Sequence, residues 1–250
     1  MSFPLLINGK STRISVNAIL TGYQWERLQH KLGSLRITQK NGKWIAQIAA
    51  TFPEAEPAGS AVMGVDLGLK IPAVAVADSG KTKFIGNGRQ NKHMKRKFRA
   101  KRKALGKAKK QKAIDNLGNK EQRWMKDKDH KASREIVNFA KANGVSEIRL
   151  EQLQNIRNTA RTSRKNAKNL HTWSFYRLAM FITYKAILCG IKVVLVDPKH
   201  TSQICPTCGE RNKANDRQYK CKCGFKSHRD RVGAINIIHA PVASGKRKLA

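Results

Sequence analysis

The sequence predicts an α/β fold: a mixed sheet flanked by helices, preceded by a small β element and carrying a cysteine-rich insertion near its end. Three observations predict it. Residues 62–77, VMGVDLGLKIPAVAVA, form a nearly continuous valine-rich run punctuated by Gly64, Gly68 and Pro72, as buried strands that fold back on one another require. Two further short apolar runs, 145–150 and 191–196, each follow a helix-like stretch that stops at a glycine, Gly144 and Gly190, the residue that most readily ends a helix. Four of the five cysteines crowd between positions 205 and 223, which reads as metal binding rather than a disulfide framework.

Taken in order, residues 34–52 hold two β-type runs around Asn41-Gly42, a dipeptide suited to a tight hairpin turn. The proline- and glycine-containing stretch 54–60 reads as a linker, so a new domain is expected near Ala61. From Arg89 to Lys112 there are 13 Lys/Arg and no acid, and Met94, Phe98 and Leu105 recur at helical spacing. A second helix is expected over Trp124–Asn143, a basic loop over 157–168, and an apolar helix over Trp173–Cys189 interrupted by Arg177 and Lys185. Cys189, at the end of that helix, reads as a core residue. The expected organisation is an N-terminal β element (1–60), a core (61–200), a zinc-binding insertion (201–225) and a last helix with a basic tail (226–250).

Charge narrows the function. With 51 Lys+Arg against 16 Asp+Glu, the formal charge of +35 in 250 residues calls for a polyanion, and nucleic acid is the leading partner. Small acidic substrates do not need such an excess. A membrane-surface protein would show an amphipathic basic helix, and no segment offers the ~20 uncharged apolar residues of a bilayer span. The N-terminus, MSFPLLINGKST, has no signal-peptide pattern, so a soluble, cytoplasmic protein with no membrane partner is expected. Lys95, Arg96, Lys97, Arg99, Lys101, Arg102 and Lys103, together with Arg157, Arg161 and Arg164, are the candidate phosphate contacts. A solvated face is the alternative for the first run. The absence of acids argues against it, because like charges at i,i+4 destabilise a helix by ~0.2–0.5 kcal/mol per pair.

Two residue sets carry chemistry. Cys205-Pro-Thr-Cys208-Gly and Cys221-Lys-Cys223-Gly offer four thiolates on two tight turns, the soft tetrahedral set that Zn2+ takes in closed structural sites. Asp66 lies inside an apolar strand-like run, Glu151 at the end of another, and Asp230 at the start of the helix-like run VGAINIIHA. A carboxylate in apolar surroundings must be paired, protonated or bound to a cation. Spacing alone leaves each acid open to a salt-bridge role among the 51 cations.

The runs Gly64-Val-Asp66-Leu-Gly68-Leu-Lys70, Ile148-Arg-Leu-Glu151-Gln-Leu, and Thr201-Ser-Gln-Ile-Cys205-Pro-Thr-Cys208-Gly through His228-Arg-Asp230-Arg-Val-Gly-Ala-Ile-Asn-Ile237 resemble the transposon-encoded OrfB/TnpB proteins, relatives of type V CRISPR nucleases. The resemblance covers about residues 30–238. It implies an RNase H-like (RuvC) sheet interrupted late by a zinc ribbon. It also implies that Asp66, Glu151 and Asp230 are catalytic and bind two Mg2+ or Mn2+ ions for cleavage of DNA guided by an RNA; of the three, Asp66 is expected to bridge both ions. Family members carry a longer wedge and recognition region before the first aspartate, and the hairpin at 34–52 resembles only the end of that wedge. A truncation, a remnant or half of a two-part assembly is therefore expected, with a catalytically silent nucleic-acid-binding regulator as the alternative function. A transposase that also joins strands would need chemistry that no residue here suggests.

Overall fold

The computed structural model describes residues 2–40, 42–53, 55–57, 59–153 and 175–243, and the chain divides into two compact units, Met1–Pro53 and Glu54–Ala250. The first unit holds two antiparallel hairpins. One pairs β1 (Ser2–Ile7) with β2 (Lys10–Ser15); the other pairs β3 (Lys31–Lys40) with β4 (Lys43–Thr51). The second was expected from sequence, and Gly42 takes the positive φ of 73° that its turn requires. Between them lies α1 (Gly22–Leu28), whose first turn is closed by a reciprocal cap: Thr21 accepts from the Gln24 N–H while the Gln24 side chain accepts from the Thr21 N–H. The first hairpin and this helix had no anticipated counterpart.

The second unit is built on a five-stranded sheet in the order β7 (Thr82–Ile85), β6 (Ala73–Ala77), β5 (Ala61–Asp66), β8 (Val145–Glu151), β9 (Lys192–Val196). β5, β6 and β7 run antiparallel as a meander, while β5–β8 and β8–β9 are parallel. Parallel pairing needs long crossovers. Here the path from β7 to β8 runs through α2 (Gly88–Lys107), α3 (Gln111–Leu117) and α4 (Lys120–Ala142). α5 (Phe175–Ile187) precedes β9. The basic run over 89–112 is thus not one helix. α2 stops at Lys107, Lys109 adopts φ +53°, and the Lys110 N–H returns to the Leu105 carbonyl at 3.0 Å. Gly106 amid crowded like charges leaves this stretch with little helix-forming drive.

The period-two alternation of strands divides the core. Met63 and Val65 of β5, Ala73 and Ala75 of β6, and Ile148 and Leu150 of β8 pack on one face with Ile136, Val137 and Ala140 of α4 and Leu178, Ile182 and Ala186 of α5. Val62, Val74 and Val76 face the other way, against Ala234 and Ile238 of α6 (Arg229–His239). The charges that interrupt the apolar α5 are anchored on α4: Arg177 pairs with Asp129 at 2.6 Å, and the Lys185 ammonium donates to the His130 carbonyl and Ser133 hydroxyl, each at 2.6 Å. Cys189 is half-buried against the first of these clusters. Before α6 comes the cysteine-rich segment with a small hairpin, β10 (Gln218–Lys220) and β11 (Lys226–His228). No helix among the described residues is long and apolar enough to cross a membrane.

Candidate functional site

Strand register brings the first two acids together. Val65 of β5 pairs with Leu150 of β8, so the next residues, Asp66 and Glu151, end adjacent parallel strands. Both fall on the α6 side, because Val65 and Leu150 are committed to the opposite core. The third acid comes from α6. Asp230 is in its first turn, 6 % exposed, with its backbone N–H donating to the His228 imidazole at 3.2 Å. The close approach of α6 to β5 depends on two glycines. A Cβ on Gly64 would stand 2.0 Å from the Ala234 carbonyl oxygen, and one on Gly233 would stand 3.0 Å from Asp66 Oδ2.

Electrostatics register the convergence. Burial, then the charges of Glu151 and Asp230, push the Asp66 carboxyl well above its ordinary range, against a smaller opposing pull from Arg229 and Arg217. Burial also raises Glu151, offset in part by a hydrogen bond from the Thr201 hydroxyl. Arg217 lies within the cysteine-rich segment, and its Nη1 donates to both oxygens of Asp230 at 2.7 and 2.6 Å. Asn236 of α6 ties the base of that segment down by donating to the Thr201 and Ile204 carbonyls at 2.6 and 2.7 Å. Neither Arg217 nor Thr201 was singled out from sequence. An arginine among 51 cations and a threonine in a loop carry no distinguishing local pattern. Three carboxyl groups brought to one end of the sheet offer the oxygen donors that divalent cations such as magnesium and manganese take.

The second centre is tighter. Sγ atoms of Cys205, Cys208, Cys221 and Cys223 all lie within 4.8 Å of one another, and no other group of three or more His, Cys, Asp or Glu among the described residues is drawn together so closely. The carboxylates are therefore more widely set than the thiols. Cys205 and Cys223 approach to 3.7 Å and Cys208 and Cys221 to 3.5 Å. A tetrahedron with zinc–sulfur bonds of ~2.3 Å has edges of ~3.8 Å, so the residues fit that ion. Each knuckle is a turn closed onto a cysteine carbonyl, Gly209 N–H to Cys205 and Gly224 N–H to Cys221, with both glycines at positive φ. Burial opposes ionisation of Cys205, but N–H donors of Cys208 and Thr207 hold its thiol down at about 6. Against N–H donors of Glu210 and Phe225 respectively, hydrogen bonding among the thiols pushes those of Cys208, to about 12, and Cys223 up. Asn212 donates to Cys221 Sγ at 3.2 Å, as outer partners of metal thiolates do. Cys205, Cys221 and Tyr219 then pack on Val232 of α6, joining this centre to the helix that carries Asp230.

The basic candidates divide. Arg96, Lys97, Lys101 and Lys103 are exposed along α2, as is Arg99, while Lys95 and Arg102 are half-buried with Met94, Phe98 and Leu105 on its inner side. Arg157, Arg161 and Arg164 lie outside the described residues.

A family model described as a probable transposase matches residues 38–157, and one described as a Cas12f1-like TNB domain matches residues 175–237. The chain is 28% identical over 218 residues to the CRISPR-associated endodeoxyribonuclease Cas12f1 of Sulfoacidibacillus thermotolerans, covering 79% of this chain and 50% of that protein. A TnpB-like protein of Methanocaldococcus jannaschii is 34% identical over 128 residues, 50% of this chain and 46% of its own length. A putative transposase from the same organism is 31% identical over 80 residues, 28% of this chain and 73% of its own length. The cryo-EM structure of a Cas12f1–sgRNA–target DNA complex superimposes with a TM-score of 0.61 at 25% identity, covering 82% of this chain and 55% of that one. The RuvC-like sheet expected from the sequence resemblance is thus the fold observed. The chain spans about half the length of the Cas12f1 proteins it matches.

Proposed function

The chain belongs to the transposon-encoded OrfB/TnpB family, and on that premise we propose that it is a metal-dependent endonuclease acting on DNA under the direction of a guide RNA. The observation that carries the reading is the meeting of Asp66 and Glu151, at the ends of adjacent parallel strands, with Asp230 on α6. In this reading Asp66, Glu151 and Asp230 would hold divalent ions of the magnesium or manganese type. Bound there, such ions activate water and stabilise the oxygen that leaves the phosphodiester. The protein's own groups set the stage. The Thr201 hydroxyl orients Glu151, Arg217 holds Asp230 in place, and Gly64 and Gly233 let α6 reach the sheet. The cysteines hold one structural zinc, and the basic side chains of α2 hold strands by their phosphates without reading sequence.

Support for the substrates comes from relatives named as endodeoxyribonucleases and from the solved complex with a single guide RNA and target DNA. The test is nicking of a labelled DNA strand by the chain supplied with its copurifying RNA and magnesium or manganese. Cutting that disappears in Asp66→Asn, Glu151→Gln and Asp230→Asn, with binding retained, is the expected result. Cutting that survives all three would reject the assigned acids, and a wild type that never cuts would leave the binding regulator as the function.

A further inference from the structure

The helical layer on the sheet face away from the carboxylates holds a second cationic feature. α2, α4 and α5 line a partly open cavity of about 310 Å³ whose walls are Lys95, Arg99, Arg102, Glu121, Gln122, Met125 and Arg177. Four of these seven side chains are cations. Glu121 is engaged by the Arg102 guanidinium, and behind the wall Asp129 holds Arg177 at 2.6 Å. These pairs fix two guanidiniums in position rather than cancel the charge, since Lys95, Arg99, Arg102 and Arg177 still outnumber the two acids. Met125, 6 % exposed, supplies an apolar floor. Burial lowers the Lys95 pKa, Glu121 and Asp129 counteract it, and Arg177 and Arg99 add to the lowering. An anion among these groups would relieve that crowding.

We propose that this cavity is a subsite for one nucleotide of a single-stranded nucleic acid, with its phosphate received by Lys95, Arg99 and Arg177 and its sugar or base resting on Met125. The volume is at the lower end of the ~300–1,000 Å³ typical of small-ligand pockets, enough for a nucleotide and too small for a duplex. Lys95, Arg102 and Arg177 are half-buried in the subsite and Arg99, though exposed, stands at its wall, which sets these groups apart from the remaining cations of α2. The side chains of Arg96, Lys97, Lys101 and Lys103 face open solvent, where each phosphate contact is screened and contributes less than one in a partly desolvated site. The inference rests on the nucleic-acid partner of the proposed function but not on cleavage.

The experiment uses the full chain without added magnesium and measures its affinity for short single-stranded RNA and DNA of one sequence. Two double variants remove equal charge: Lys95→Gln with Arg99→Gln from the cavity, Lys97→Gln with Lys101→Gln from the exposed side. The cavity pair is expected to lose on the order of 10-fold or more in affinity, as for hydrogen bonds to charged groups in partly desolvated sites. The exposed pair is expected to lose about 2-fold. Comparing the RNA and DNA arms assigns the strand. As a second readout, adenosine 5′-monophosphate, but not adenosine, raises the melting temperature of the wild type and not of the cavity variant. Equal losses from the two pairs would overturn the proposal, as would a mononucleotide stabilisation that persists in the cavity variant. A wild type that never cuts DNA but retains the difference between pairs would sink the nuclease reading alone.

Discussion

The two candidate metal centres share α6 and are otherwise opposites. The thiols come from one short segment between positions 205 and 223, already stand at the spacing of a zinc tetrahedron, and reach α6 through Val232. The carboxylates come from positions 66, 151 and 230 and are set more widely, and the charges of Glu151 and Asp230 add to burial in raising the proton affinity of Asp66. Local turns are enough to close the first. The second exists only once two strands are in register and a helix has docked on them. A closed thiolate site adds folding free energy when zinc binds, whereas gathering buried carboxylates costs stability until cations arrive. Arg217 links the two, since it lies between the cysteine pairs and holds Asp230.

The sharpest break of this contrast is in activity. On the proposed function, Asp66→Asn, Glu151→Gln and Asp230→Asn are each expected to lower cleavage on the order of 1,000-fold or more, with little added by combining two, as for residues acting as one unit. Single-turnover cutting rates across the single and double variants measure it. Next in size is the loss of a thiolate. Cys205→Ser is expected to lower zinc content from one ion per chain and to destabilise the fold by about 3 kcal/mol or more. Elemental analysis and denaturant unfolding read both effects, and full zinc retention with unchanged stability would contradict the closed site.

Gly64→Ala addresses the docking that only the carboxylate centre needs. Its Cβ meets the Ala234 carbonyl oxygen, which is backbone and cannot rotate away, so α6 must shift at a cost of about 1–3 kcal/mol. Cutting falls while zinc content stays at one ion, and a variant that lost zinc but kept cutting would reverse the assignment. The smallest effect concerns Asp66 without divalent cations. Its pKa in the folded state is raised, so the folded chain binds more protons than the unfolded one between the ordinary and raised values. Stability is therefore greatest below the ordinary carboxylate pKa and declines as pH rises through the raised one. Asp66→Asn removes that decline and stabilises the metal-free chain near neutrality by about 1–2 kcal/mol. Added magnesium should erase the difference, and thermal melts with and without it over a pH series measure the outcome.

The sequence by itself determined whatever depends on short-range pattern. The apolar runs at 62–77, 145–150 and 191–196 had to be buried strands. Glycines 144 and 190 had to end helices, and both take positive φ. The paired cysteines with their following glycines had to form knuckles, because each involves only neighbours a few residues apart. Elements without such a pattern stayed hidden: the hairpin at 2–15, the edge strand β7, and the break after Lys107, where Lys109 turns left-handed. Tertiary structure alone decided which face of the sheet carries Asp66 and Glu151, that Arg217 reaches Asp230, and that Lys95, Arg99 and Arg102 meet Arg177 around one cavity. Those facts rest on strand register and helix docking between residues 13 to 164 positions apart, and no local pattern in the chain encodes the distance across a fold.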